Sequence, residues 1–145
     1  MDFLTAMKIS GSALKAERTR INVASMNLAN ANTTRTVEGG PYRAKSVIFG
    51  ATSLPTNTFQ QTYDSVDAKL RKVEVVQVVE DAAPFKEVYD PSHPDADANG
   101  IVKMPNVNTA EQMVDLISAR RDFDANVTAM DSIKAIALRS LEISR

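Results

Sequence analysis

The residues best suited to chemistry lie close together past the middle of the chain. Asp95-Ala96-Asp97-Ala98-Asn99-Gly100 matches the D-x-[DN]-x-[DN]-G opening of a calcium loop, with Val102 at the apolar eighth position. Such a loop needs side-chain oxygens at alternate positions of a tight turn, then a bidentate carboxylate at position twelve. Position twelve here is Asn106, which offers one neutral oxygen. Pro94 and Pro105 also block the helices that should enter and leave. The segment therefore reads as an Asx-rich turn between two extended stretches, with no metal. His93 has no Cys or second His with which to share a metal, and no nucleophile pattern beside it, so it reads as a turn-packing side chain. Glu80-Asp81 and Asp122-x-Asp124 are carboxylate pairs. Residues two apart on a helix do not face each other, so the second pair is a solvated flank. Asn32-Thr33-Thr34 and Asn126-Val127-Thr128 match the glycan acceptor pattern by chance.

Composition narrows the classes further. The chain has 145 residues, 17 basic and 18 acidic side chains, one His and no Cys, for a net charge of −1. A near-neutral balance lacks the basic field that nucleic acid requires. Zero Cys excludes disulfides, thiolate metal sites and thiol catalysis, and suits passage into an oxidising compartment. No phosphate-binding loop, dinucleotide fingerprint, nucleophile elbow or zinc-protease helix is present. The expectation is no enzyme, no cofactor and no small-molecule substrate. The first residues start acidic and are soon interrupted by Lys8, Lys15, Arg18 and Arg20, so no cleavable signal is expected.

The elements are written in periodicity and punctuation. All six prolines lie between residues 41 and 105, and both ends are proline-free. The series Phe3, Met7, Ser10, Leu14, Glu17, Ile21, Ala24, Leu28 is apolar at six of eight positions. It stops at Asn30-Ala31-Asn32-Thr33-Thr34, whose side chains compete for backbone hydrogen bonds. The series Met113, Leu116, Arg120, Phe123, Val127, Met130, Lys134, Ala137, Leu141 is apolar at seven of nine, with Ile117 and Ile133 covering its gaps. Helices over 3–30 and 109–143 would run about 40 and 50 Å at ~1.5 Å per residue, long for so small a chain. Narrow stripes on long helices suggest seams.

Between them the pattern turns β-like: Tyr42–Gly50, Leu70–Glu80, Phe85–Tyr89 and Ile101–Met104 read as strands of one small sheet. Residues 51–62 read as a polar loop and Asp90–Gly100 as turns. Charge divides likewise: residues 1–45 carry net +4, 46–108 net −4, and 109–145 net −1. The predicted fold is mainly α with a small β domain. The two terminal helices pair as an antiparallel coiled coil, and a short-stranded β insert lies between them. The predicted division is 1–34, 35–108 and 109–145. An alternative role is a membrane-surface or scaffold adaptor using the basic amphipathic N-terminal helix.

Val23-Ala24-Ser25-Met26-Asn27-Leu28-Ala29-Asn30-Ala31-Asn32-Thr33 resembles the N-terminal signature of the bacterial flagellar rod and hook axial proteins. Glu111-Gln112-Met113-Val114, followed by Ala119-Arg120-Arg121-Asp122-Phe123-Asp124-Ala125-Asn126, resembles their C-terminal pattern. Gly40–Lys45, Val88–Ala96 and Asp97–Val107 are similar to the proximal-rod members of that family. Met26 and Phe123 depart from the usual residues. The resemblance implies a structural subunit of the periplasmic rod, exported through the flagellar type III apparatus without signal cleavage. It implies contact with copies of itself and with other rod proteins, and with MS-ring and export-gate proteins at the base. Combined with the stripes, it places an assembly interface on Phe3, Met7, Leu14, Ile21, Asn27, Leu28, Asn30 and Asn32. On the C-terminal helix the interface falls on Met113, Leu116, Ile117, Phe123, Val127, Met130, Ile133 and Leu141.

Overall fold

A 27-residue stretch with no proline and a single glycine forms the first helix, α1 (Phe3–Ala29). Four strands follow: β1 (Lys45–Ser53), β2 (Arg71–Glu80), β3 (Lys86–Tyr89) and β4 (Ile101–Met104). A 35-residue helix, α2 (Thr109–Ile143), closes the order. This computed structural model describes residues 3–53 and 70–143. Both helices lie where the periodicity puts them. Beyond α1, the Asn30 N–H closes on the Met26 carbonyl at 3.1 Å, and Asn30 Nδ2 donates to the same carbonyl at 2.9 Å. At the other helix, the Gln112 N–H donates to the Asn108 carbonyl at 3.0 Å, which makes Asn108 the capping position.

The β region differs from the expectation in two respects. Among the described residues the strands form two sheets, not one. β1 pairs with β2, and β3 pairs with β4 antiparallel in the register Lys86↔Met104 through Tyr89↔Ile101. Beyond β2 the ladder stops near Pro84, which has no N–H to donate. The Asp81 and Ala83 carbonyls are taken up by the Arg43 guanidinium, at 2.7 and 3.2 Å. Secondly, β1 runs on through Ala51-Thr52-Ser53, where Thr52 Oγ1 meets Glu74 Oε2 at 3.2 Å. The remainder of the expected loop, 54–62, lies outside the described residues.

The chain divides into two compact units. One comprises Met1–Thr19, Ile48–Gln77 and Ala119–Arg145, the other Arg20–Val47 and Val78–Ser118. In the first, the buried positions are small: Ser10, Ala16 and Ala119. Ser12 Oγ donates to the Ile9 carbonyl and accepts from the Val73 N–H at 3.2 Å, tying α1 to β2. The second unit holds the larger core, with Val23, Ala24, Asn27, Ala44, Val102, Pro105 and Val107 all buried. Among the described residues no helix is long and apolar enough to cross a membrane.

The turn between β3 and β4 shows what the acidic motif does. Asp97 Oδ1 accepts from the Asn99 and Ile101 N–H groups at 2.8 and 2.9 Å. Asp90 Oδ1 accepts from the Ser92 N–H and hydroxyl. These bonds hold both carboxyls below their ordinary range: the Ser92 hydroxyl first at Asp90, the Ile101 N–H first at Asp97. His93 Nδ1 accepts from the Asp95 N–H at 3.1 Å. The motif is thus an Asx-turn array that folds its own backbone. Gly100 sits at φ +74°, and a Cβ there would lie 3.0 Å from Pro91 Cγ and 3.1 Å from Tyr89 Cε2. Gly100→Ala should therefore lower stability by about 1–3 kcal/mol through backbone strain and crowding. Urea unfolding of the two proteins side by side measures it.

Candidate functional site: a polar joint and exposed helix faces

Asn27 lies on the last turn of α1 and is 1 % exposed. Burying an unpaired primary amide would cost several kcal/mol, roughly 1–3 per orphaned group. Every direction of this amide is used. Oδ1 accepts from the Lys45 N–H and the Tyr42 hydroxyl, both at 2.9 Å. Nδ2 donates to the Lys45 carbonyl at 2.7 Å and to Gln112 Oε1 at 2.8 Å. The Lys45 N–H and C=O fix which end of the amide points where, since one can only donate and the other only accept. One side chain thus joins the end of α1, the start of β1 and the first turn of α2.

Neighbouring polar groups extend the joint. Arg20 Nε donates to Asp115 Oδ1 at 2.9 Å, and its Nη2 reaches the same oxygen. Asn106 Oδ1 accepts from the Ala44 N–H at 2.8 Å, while its Nδ2 reaches the Ala83 carbonyl at 3.2 Å. The Arg43 guanidinium lies 4.4 Å from the Phe85 ring centroid. Burial, and then the nearby Glu80 carboxylate, push the Tyr42 phenol above its ordinary pKa.

The expected interface residues fall into three groups. Asn27 is buried; Asn30 is half-buried, its Oδ1 accepting from Thr33 Oγ1 at 3.3 Å; Asn32 is exposed. Met7, Leu14, Ile21 and Leu28 on α1, and Leu116, Phe123, Met130 and Ile133 on α2, are half-buried. Phe3, Met113, Ile117, Val127 and Leu141 are exposed. Along α2 the least exposed line runs 112, 116, 119, 123, 126, 130, 133, 137, a regular 3-4 repeat. It departs by one residue, at alternate positions, from the apolar series expected from sequence. Gln112, Ala119 and Asn126 hold inward positions, while Met113 and Val127 lie outside. Of the 35 residues of α2, only Ala119 is buried among those described. Sequence reasoning did not assign the joint's partners, Tyr42, Gln112, Asn106, Arg20 and Asp115. The available signal was polar residues at positions where a helix seam or a strand end expects apolar ones.

Among the described residues no group of three or more His, Asp or Glu is placed to hold a metal. The polar side chains of the joint connect elements, while Met113, Val114, Ile117, Ile136, Leu138 and Leu141 of α2 stand exposed, as in a structural subunit. Comparison with known proteins gives the particular class. Residues 7–35 match the family described as flagella basal body rod protein. Residues 98–143 match the flagellar basal body rod FlgEFG protein C-terminal family. Flagellar basal-body rod protein FlgC of Salmonella typhimurium is 40% identical over 145 residues, all of both chains. FlgC of Bacillus subtilis is 39% identical over 97% of each chain. That of Borreliella burgdorferi is 38% identical over 99% of this chain and 98% of its own. The chain belongs to the FlgC family of flagellar basal-body rod proteins, a structural family and not an enzyme family.

Two predictions follow from the joint. Asn27→Ala strands the Lys45 N–H and C=O and should cost at least about 2 kcal/mol in urea unfolding. The raised phenol of Tyr42 stabilises the fold only while protonated. That contribution is complete below the unfolded tyrosine pKa near ~10 and falls away as pH rises past it. Tyr42→Phe should flatten the alkaline decline of stability, as read by denaturant midpoints across that range.

Proposed function

We propose that this rod subunit polymerises through its terminal helices into a helical tube that transmits torque and encloses the export channel. The observation that carries the reading is the exposure of α2. Met113 (51 %), Val114 (64 %), Ile117 (58 %), Ile136 (65 %), Leu138 (53 %) and Leu141 (68 %) stand open on one helix. Apolar surface of this extent in a single chain is matched by burial elsewhere. The names of the relatives, each a basal-body rod protein, supply the setting.

Within this reading α1 and α2 pair as an antiparallel coiled coil. Support comes from each unit taken alone. In one, Arg20 meets Asp115 while Asn27, further along α1, meets Gln112, earlier on α2. In the other, Phe3 and Ala6 share a groove with Ile133–Leu141, while a Cβ on Gly11 would lie 3.7 Å from Met130 Cε. The proposed organisation is a helical core from 1–34 and 109–145 with a β-rich middle domain, 35–108. Neighbours are copies of itself and other rod proteins, with MS-ring and export-gate proteins at the base. The location is the periplasmic rod, reached without signal cleavage. Helices that gain most of their stability by packing suit a chain threaded through an export channel and ordered on arrival.

Leu138→Asp with Leu141→Asp tests the reading. Both positions are exposed, so the isolated chain should keep its circular dichroism and urea midpoint. Cells making only this variant should export it yet lose it from purified basal bodies and cease to swim. Normal swimming would overturn the proposal.

A further inference from the structure

Two features of the exposed surface are complementary. Near the start of α2, Met113, Val114 and Ile117 form a compact apolar triad, all more than half exposed. Near its end, Ile133, Ile136, Ala137 and Leu141 line an open groove of about 540 Å³ together with Phe3 and Ala6 of α1. The triad occupies i, i+1 and i+4 positions, the spacing by which a helix anchors in an apolar groove. The groove floor includes Ala137, whose small side chain lets a second backbone approach.

We propose that the triad of one copy docks in the groove of a second copy of this chain. The proposal rests on the self-assembly reading above and specifies which surfaces meet. Charge at the edges favours this occupant and sets its direction. Exposed Glu111 and Arg121 flank the triad, and exposed Lys134 and Glu142 flank the groove. With the crossing helices parallel, Glu111 comes beside Lys134 and Arg121 beside Glu142, two opposite pairs. An antiparallel crossing brings Glu111 against Glu142 and leaves Arg121 between Asp131 and Lys134. Triad and groove are different patches, so the contact is heterologous. Each copy that offers a groove still has a triad free, and the array continues without closing into a pair.

The chain has no Cys, which makes the contact directly testable. Ile117→Cys with Ser140→Cys places thiols that meet only in the parallel docking. Within one chain the two lie 23 residues apart on α2, about 34 Å at ~1.5 Å per residue. A disulfide needs Cα atoms within roughly 7 Å, so any bond must join two copies. Basal bodies from cells carrying only this variant are oxidised and run without reductant. The expected result is a ladder of dimers and higher multiples, absent from either single variant. Val114→Cys with Ala137→Cys is the second pair, for use if the first does not incorporate, and should give the same ladder. Glu111→Cys with Glu142→Cys, which meet only in the antiparallel crossing, should stay at monomer mass. If the parallel pairs and the Glu111/Glu142 pair all incorporate but remain monomeric, the docking is overturned while the assembly reading stands. A ladder from the Glu111/Glu142 pair would overturn the direction. Absence of the unsubstituted chain from basal bodies would overturn the assembly reading and the docking with it.

Discussion

A buried amide with no slack is the constraint on which the unit with the larger core is built. Asn27 has two donor directions and an acceptor oxygen with two lone pairs, and the fold supplies a partner to each. Apolar contacts tolerate a sliding of one element past another, because they are non-directional. The Asn27 bonds do not. Moving α1 by one residue would turn the amide about 100° away from Lys45 and leave four polar groups dry. The joint therefore fixes three things together: where α1 stops, where β1 starts and which residue of α2 faces inward. In a subunit of a mechanical family, that definiteness matters more than the modest net energy of four hydrogen bonds.

How much of this could be read beforehand depends on which physics wrote each element. The helices were legible because nothing competes with them: long proline-free stretches of good helix formers, each bounded by residues with a reason to stop. The strands were legible from β-branched runs such as Val73–Val79. The turn at Asp90–Gly100 was legible because Asp and Gly act locally. The phase of α2 was not. Met113 and Val127 are apolar, and Gln112 and Asn126 are polar, so a hydrophobicity count selects the outer line. What draws Gln112 inward is a hydrogen bond to a residue 85 positions away. No local pattern encodes that. The split into two separate sheets is similar: past the end of β2, the Arg43 and Asn106 side chains take up the Asp81 and Ala83 carbonyls, from positions 38 to 40 and 23 to 25 residues away.

The same misphasing has a physical meaning. A helix whose apolar residues all faced one partner would have had its seam read correctly. α2 is hard to read because it carries apolar residues on more than one side. Its inner line is made partly of small and polar side chains, Ala119, Asn126 and Gln112, which suit close approach and specific bonds. Its outer side also holds large residues, Met113, Ile117, Leu138 and Leu141. Burial is worth roughly 25 cal/mol per Å² of apolar area, so covering that outer side would add stability that the contacts within the chain do not supply.

The named carboxylates show the same commitment to the chain's own geometry. A catalytic carboxylate has to be held and yet left free to act, whereas Asp90 and Asp97 are committed to backbone N–H groups. Asp115 is committed to Arg20, and the buried Asn27 amide has no direction left for a ligand. These polar groups serve the chain's own geometry, and several large apolar groups of α2 remain exposed. A subunit arranged in this way gives up reactivity for a fixed shape and keeps its adhesive surface for its neighbours. The exposed Met113, Val114 and Ile117 and the groove lined by Ile133, Ile136, Ala137 and Leu141 are different surfaces of the same helix, so burying either one does not by itself cover the other.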